Sequence, residues 1–177
     1  MINLSGKRIA IISTDYFEEA ELVEPLIQLK TMGAKVEVAA PHSGTIQALR
    51  GVEKSQAVAV DTTIDTLDVS LYDALIIPGG VVNADHLRIN KAAQNIVQEM
   101  ASAHKTIAAI CHGPWLLISS GLVGGRTLTS YHTLEDDITN AGGVWVDEEV
   151  VVDDNVITSR KPSDIPAFIH AIVTSLK

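Results

Sequence analysis

The sequence predicts an α/β domain built on a doubly wound, mostly parallel sheet with helices on both faces. Three observations predict it. Short apolar runs rich in β-branched residues recur along the chain: "RIAIIS" (8–13), "KVEVAA" (35–40), "DALIIPGG" (73–80) and "TIAAIC" (106–111). Each has the length of a strand buried on both faces. Segments with helical spacing alternate with them, which is the order that builds parallel βαβ units. Apolar residues make up 46% of the chain and aromatics only 4%, so the core must be Ile, Val, Leu and Ala. The 177 residues show no repeat, low-complexity stretch or linker, and residues 1–177 read as one domain. A chain of this size buries enough surface to fold without disulfides or a structural metal.

The elements follow in order. After the first strand, "FEEAELVEPLIQLKTMG" places Leu22, Leu26 and Leu29 at helical spacing and ends at Gly33. Pro25 is expected either in the first turn of that helix or at a kink, because proline removes a helix hydrogen bond. "KVEVAA" is the second strand, and residues 44–67 lack a helical stripe and read as a small β excursion. "DALIIPGG" ends in a double glycine, followed by the loop "GGVVNADHLRIN". "KAAQNIVQEMASAH" aligns Ala93, Ile96, Val97 and Met100 on one helix face. "TIAAIC" is the next strand, "GPWLLISSG" a helix closed by Gly121, "TLEDDITNAGG" a short helix, and "EVVVDDNVITS" a hairpin turning at Asp154–Asn155. In the last helix, Ile165, Phe168, Ile169, Ile172, Val173 and Leu176 share a face; Ser163 is the expected N-cap, and Pro166 fits the first turn.

Acidic residues outnumber basic ones 22 to 13, for a net charge of -9. There is no basic stripe to displace counterions, so nucleic acid is not an expected partner. No run approaches the ~20 apolar residues of a membrane span, and the opening "MINLSGKRIAIIST" does not read as a signal peptide. The expected compartment is the cytoplasm, with no membrane partner.

In open α/β sheets, ligands sit beyond the carboxyl ends of the strands. Three such ends carry suggestive chemistry: "STDYFEEAE", "PGG" and "CHGP". Cys111 is the lone cysteine, and a free cysteine is most often a small buried hydrophobe. Here it follows the strand "TIAAI" and precedes the helix "GPWLLISS", with Ala109 and Gly113 two positions to either side. That is the small-x-nucleophile-x-Gly pattern of a nucleophile elbow, and the helix N-terminus behind it is expected to favour a thiolate. His112 reads either as a packing residue of the turn or as a functional one, offering its N–H to an oxyanion and its imidazole to the thiolate. Gly79 and Gly80 are either a plain tight turn or amides aimed into the crevice as oxyanion donors. In "EEAELVE", the helix dipole accounts for Glu18, Glu19 and Glu24. Glu21 lies inward beside Leu22, where a carboxyl needs a partner; it can donate to the thiolate when protonated or act as a general base. The six histidines (42, 86, 104, 112, 132, 170) show no metal-ligand spacing, so neither metal nor other cofactor is expected. His132 follows a strand end and is expected to face the same crevice, whereas His170 reads as structural.

At these residues the chain resembles the ThiJ/PfpI superfamily, in its PfpI-like intracellular cysteine peptidase branch. The resemblance runs over essentially the whole length, through "DYFEEAEL", "DALIIPGG", "AICHGPWLLISSGLVGGR" and "NAGGVWVDEEVVVDDNVITSRKPSDIPAF". It implies a flavodoxin-like, class I glutamine-amidotransferase-like fold. It also implies Cys111 as nucleophile, Glu21 hydrogen-bonded to it, and the Gly80 and His112 amides as oxyanion hole. An acidic residue supplied by a neighbouring subunit, Asp85 by position, is implied as the partner of His112, and with it a homo-oligomer, dimer or larger. The activity implied is a stress-response enzyme of glyoxalase or deglycase type, acting on small reactive carbonyls or glycated adducts. The alternatives are an intracellular cysteine peptidase or amidase taking peptides, and a non-enzymatic redox sensor or chaperone.

Overall fold

The computed structural model describes residues 3–177. In chain order its strands are β1 (Arg8–Ile12), β2 (Phe17–Glu18), β3 (Lys35–Ala40), β4 (Thr45–Arg50), β5 (Glu53–Ala59), β6 (Thr62–Thr63), β7 (Ala74–Ile77), β8 (Thr106–Ile110), β9 (Thr127–Leu128), β10 (Val144–Trp145), β11 (Val150–Asp153) and β12 (Val156–Ser159). Its helices are α1 (Glu19–Thr31), α2 (Val81–Arg88), α3 (Lys91–Ser102), α4 (Pro114–Ser119), α5 (Glu135–Asn140) and α6 (Ile165–Ser175). Seven strands form the central sheet in the order β11-β12-β8-β7-β1-β3-β6. Every pairing in it is parallel except that of β11 with β12, the expected hairpin, where Asp153 opposes Val156 across the turn.

Period-two alternation distributes each central strand between two cores. Ile9 and Ile11 of β1, Ala74 and Ile76 of β7, and Ala108 and Ile110 of β8 pack with Leu22 and Leu29 of α1 and Phe168, Ile169 and Ile172 of α6. Their neighbours Ala10, Ile12, Leu75, Ile77, Ile107 and Ala109 pack with Ile96, Val97 and Met100 of α3, Leu116 and Leu117 of α4, and Ile138 of α5. The predicted layering, helices over both faces of a mostly parallel sheet, is therefore the observed one. The excursion at 44–67 is also β structure. In it, β4 and β5 join β2 in a three-stranded sheet, and β6 extends the edge of the main one. No helix among the described residues is long and apolar enough to cross a membrane.

Of the two places expected for Pro25, the first turn is excluded: it lies inside α1, and the helix runs on to Thr31. Two local expectations need correction. Ser163 does not cap α6: a single 3-10 turn, Pro162–Asp164, leads into the helix, and Asp164 occupies the cap position without a side-chain cap bond. The segment after Gly80, read as a loop, is the helix α2. It escapes recognition because its inward face is Asn83, Ala84 and Leu87, too polar and too small to form an apolar stripe.

Candidate active site

The sheet order places the carboxyl ends of β8, β7 and β1 side by side, and the three suggestive segments meet there. Cys111 follows β8 directly, with φ +63, a conformation that costs a non-glycine residue free energy and is held by its surroundings. Its N–H donates to the Ser159 carbonyl at 3.0 Å, and its own carbonyl accepts the Tyr131 N–H at 2.9 Å. The chain then turns sharply into α4. Gly113 is required in that turn: a Cβ there would lie 2.6 Å from the Ile77 carbonyl oxygen.

The Cys111 thiol is buried, and the backbone amides of Gly80 and His112 favour its ionised form. His112 Nδ1 stands 3.2 Å from Sγ. The imidazole is buried as well, stacked on Tyr131 at 4.9 Å between centroids and met edge-on by Trp115 at 5.2 Å. Burial, helped by the neighbouring charge of His132, lowers its pKa. Trp115 is itself fixed: its Nε1–H donates to Asp137 at 2.8 Å, and the Arg88 guanidinium lies 5.1 Å over its ring.

Glu21 is fully buried at the first turn of α1. Its Oε2 accepts the Gly79 N–H at 2.7 Å, while Oε1 has no nitrogen or oxygen partner. Burial pushes the carboxyl up to about 8. Burial, followed by the proximity of Glu21, pushes the Cys111 thiol up too. Helix α4, at six residues, supplies little dipole against that burial. Glu21 opposes ionisation of Cys111, whereas the thiol beside it lowers the Glu21 carboxyl against the larger effect of burial.

These side chains line a pocket of about 470 Å³ together with Glu18, Val52 and Thr133. A smaller hollow of about 270 Å³, walled by Tyr16, Leu49, Val52, Val81 and Val82, adjoins it. A surface groove over Asn95, Gln98 and Glu99 on α3 is also about 470 Å³ but is lined by neither cysteine nor histidine.

Of the residues singled out in the sequence, Cys111, His112, Glu21, Gly79 and Gly80 come together. The Gly79 amide, however, is engaged by Glu21 rather than free for an oxyanion. A Cβ at Gly79 would sit 2.5 Å from Glu21 Oε2 and 2.7 Å from the Cys111 Cβ, so the glycine is needed for close approach. His132 lines a separate hollow with Asp147, Arg160 and Lys161 and does not enter the Cys111 pocket. Its neighbours Tyr131 and Thr133 do, Tyr131 standing between the two hollows with its ring 4.5 Å from that of His132. Asp85 is exposed on α2 and does not line the pocket of its own subunit.

Three contributors escape the sequence reading. Glu18 lines the pocket rather than merely complementing the helix dipole. Thr133 places its hydroxyl 3.4 Å from His112 Nε2. Asn83 is buried and ties two strand ends together: its Oδ1 accepts from the Thr14 amide at 2.7 Å, and its Nδ2 donates to the carbonyls of Pro78 at 3.2 Å and Gly79 at 2.9 Å.

Residues 7–175 match the DJ-1/PfpI family along nearly the full chain. The chain belongs to that family. Among its DJ-1/PfpI relatives is the deglycase PH1704 of Pyrococcus horikoshii, 41% identical over 170 residues that cover 96% of this chain and 99% of that one. Another is the putative cysteine protease YraA of Bacillus subtilis, 36% identical over 97% of this chain and 99% of its own. A solved two-domain protein of Anabaena variabilis with DJ-1/ThiJ/PfpI-like and ferritin-like domains superposes with a TM-score of 0.91 at 35% identity. It covers 96% of this chain, which spans about half (48%) of that longer one.

Proposed function

We propose that this DJ-1/PfpI protein is a cysteine-dependent enzyme acting on reactive carbonyls or their glycated adducts, in the manner of a glyoxalase or deglycase. The observation that carries the reading is the Cys111 sulfur, 3.2 Å from the imidazole of His112 and flanked by the backbone amides of Gly80 and His112, in a pocket of about 470 Å³. The name of the deglycase relative supports it.

The resting pair is neutral, since burial lowers His112 and raises Cys111. As substrate enters, the thiol proton passes to Nδ1 and the sulfur adds to the electrophilic carbon. The carbonyl oxygen gains the electron pair, and the amides of Gly80 and His112 stabilise it. With a dicarbonyl the product is a hemithioacetal. Transfer of its C–H proton to the adjacent carbonyl carbon, by way of the enediol, gives a thioester. Water then releases a hydroxy acid and returns the thiol. With a glycated amine, the carbon–nitrogen bond breaks instead and the amine leaves as the thiol adduct forms. A neutral Glu21, its Oε2 occupied by Gly79, carries its proton on Oε1, from which it can donate to the developing thiolate.

Purified, reduced protein is expected to convert methylglyoxal to lactate and to release free amine from its adducts. Cys111→Ser should abolish both; turnover that survives this substitution overturns the reading. A peptidase reading is second, favoured by the adjoining apolar hollow, which has room for a side chain flanking a scissile bond, and by the name of the protease relative. Acylation of Cys111 by peptide esters separates it from the first. We further propose that the protein is a homo-oligomer in which Asp85 approaches a neighbouring copy's pocket, a reading that light scattering and Asp85→Asn kinetics test together.

A further inference from the structure

The Cys111 pocket and the hollow beside it are continuous, since Glu18, Gly51, Val52, Gly80 and Val81 line both. Gly80 joins them most directly: its amide flanks the Cys111 sulfur, and the same residue walls the hollow. A carbonyl carbon bonded to that sulfur therefore has the hollow as the adjoining space for the group it carries. Tyr16, Leu49 and Val82 belong to the hollow alone, and with Val52 and Val81 they make its wall apolar. The Tyr16 ring sits beneath the Lys54 ammonium at 5.9 Å, and Lys54 itself does not line the hollow. At about 270 Å³ the space is far larger than a methyl group needs. An aliphatic cavity of about 150 Å³ takes a benzene ring. Charge narrows the choice further. Among the described residues, neither space is lined by lysine or arginine, and Glu18 stands on the shared wall with its Oε2 accepting the Gly51 N–H at 3.1 Å. An anionic group would be brought beside this carboxylate with no base to offset it.

We propose that the hollow is a substituent subsite, and that the preferred substrates are dicarbonyls bearing an uncharged apolar group of branched or aromatic size, with carboxylated and phosphorylated dicarbonyls disfavoured by Glu18. The inference deepens the carbonyl reading of the site and rests on it. The step that seats the substrate balances. Sγ bonds to the aldehyde carbon, the carbon–oxygen double bond becomes single, and the thiol proton ends on that oxygen, giving a hemithioacetal whose second carbonyl leads the substituent into the hollow.

Protection of Cys111 from iodoacetamide tests it without requiring turnover. The probes are methylglyoxal, phenylglyoxal and 4-carboxyphenylglyoxal, each scaled to its hemithioacetal equilibrium with free glutathione, and only protection that dilution reverses is counted. Phenylglyoxal is expected to half-protect at a concentration about ten-fold below methylglyoxal, the discrimination an apolar pocket gives for a few carbon atoms. The carboxylated probe should need about five-fold more than phenylglyoxal. Val82→Trp on α2 and Leu49→Trp on β4 fill the hollow from different elements, and each should cut the phenylglyoxal preference to about two-fold or less. Glu18→Gln keeps an acceptor for the Gly51 amide and should bring the two aryl probes together. Equal protection by phenylglyoxal and methylglyoxal, or a preference that both tryptophan variants leave intact, overturns the subsite. A charge discrimination that survives Glu18→Gln overturns the role of Glu18. Protection by no dicarbonyl overturns the subsite together with the carbonyl reading, whereas a preference without turnover of any probe upholds the subsite and refutes the proposed reaction.

Discussion

A fully buried glutamate with one unpartnered oxygen is costly to keep ionised, and Glu21 carries that cost beside Cys111. Its carboxyl titrates near 8 in the folded chain against an ordinary value of 4.5. Between those values the folded protein holds a proton that the unfolded chain has released. Stability therefore falls as pH rises through this window, and below it the burden disappears. At about 1.4 kcal/mol per unit, the cost reaches a few kcal/mol by pH 8. Glu21→Gln keeps an oxygen for the Gly79 amide and cannot ionise. It should melt several degrees above the wild type at pH 8 and converge with it below pH 5, while losing most activity for want of a carboxyl proton beside Cys111. Thermal melts across that range check the first part; a pH-independent difference in Tm would refute it. Cys111 and Glu21 are legible in the sequence because small neighbours and an inward acidic residue are unusual in their places. Thr133 is not, since its contact is with the ring of another residue twenty-one positions away.

At the scale of elements, legibility follows the apolar pattern. The stripe of α6 and the buried runs of β1, β7 and β8 read directly because packing alone shapes them. Helix α2 does not, because it is anchored by polar bonds. Asn83 links the Ser13–Thr14 end of β1 to the Pro78–Gly79 end of β7, and so sets where the Gly79 and Gly80 amides point. Asn83→Ala leaves the buried Thr14 amide without its acceptor, at a cost of about 1–3 kcal/mol. Activity should fall further than stability accounts for: kcat at 25 °C, where the variant is still folded, is expected to drop by about ten-fold or more, since misplaced donors act on the transition state. A loss of Tm with kcat intact would make Asn83 structural only.

The whole molecule adds a rim to a site that the sheet alone would leave open. Adjacent strand ends in the order β8-β7-β1 assemble the sulfur, the amides and the carboxyl, as the alternation of strands and helices already implies. The β excursion then brings a second sheet alongside, and its β4–β5 turn delivers Gly51 and Val52 to both the Cys111 pocket and the apolar hollow beside it. The Gly51 N–H donates to Glu18 at 3.1 Å and fastens the hairpin to the pocket wall. This placement is not legible in the sequence, where the segment shows strand pattern but nothing of what it covers. Val52 is 93% exposed, so it contributes little to the core, and Val52→Asp should shift stability by no more than about 0.5 kcal/mol. The same change puts a charge on the wall shared by the two hollows. For substrates that carry an apolar group next to the reacting carbonyl, KM should rise several-fold. The iodoacetamide rate at Cys111 should stay within about two-fold, since one exposed charge at the rim is strongly screened by water. Steady-state kinetics with a bulky and a minimal dicarbonyl decide the matter. An equal change in KM for both would show that the hairpin does not select the substrate and that the rim serves some purpose other than recognition.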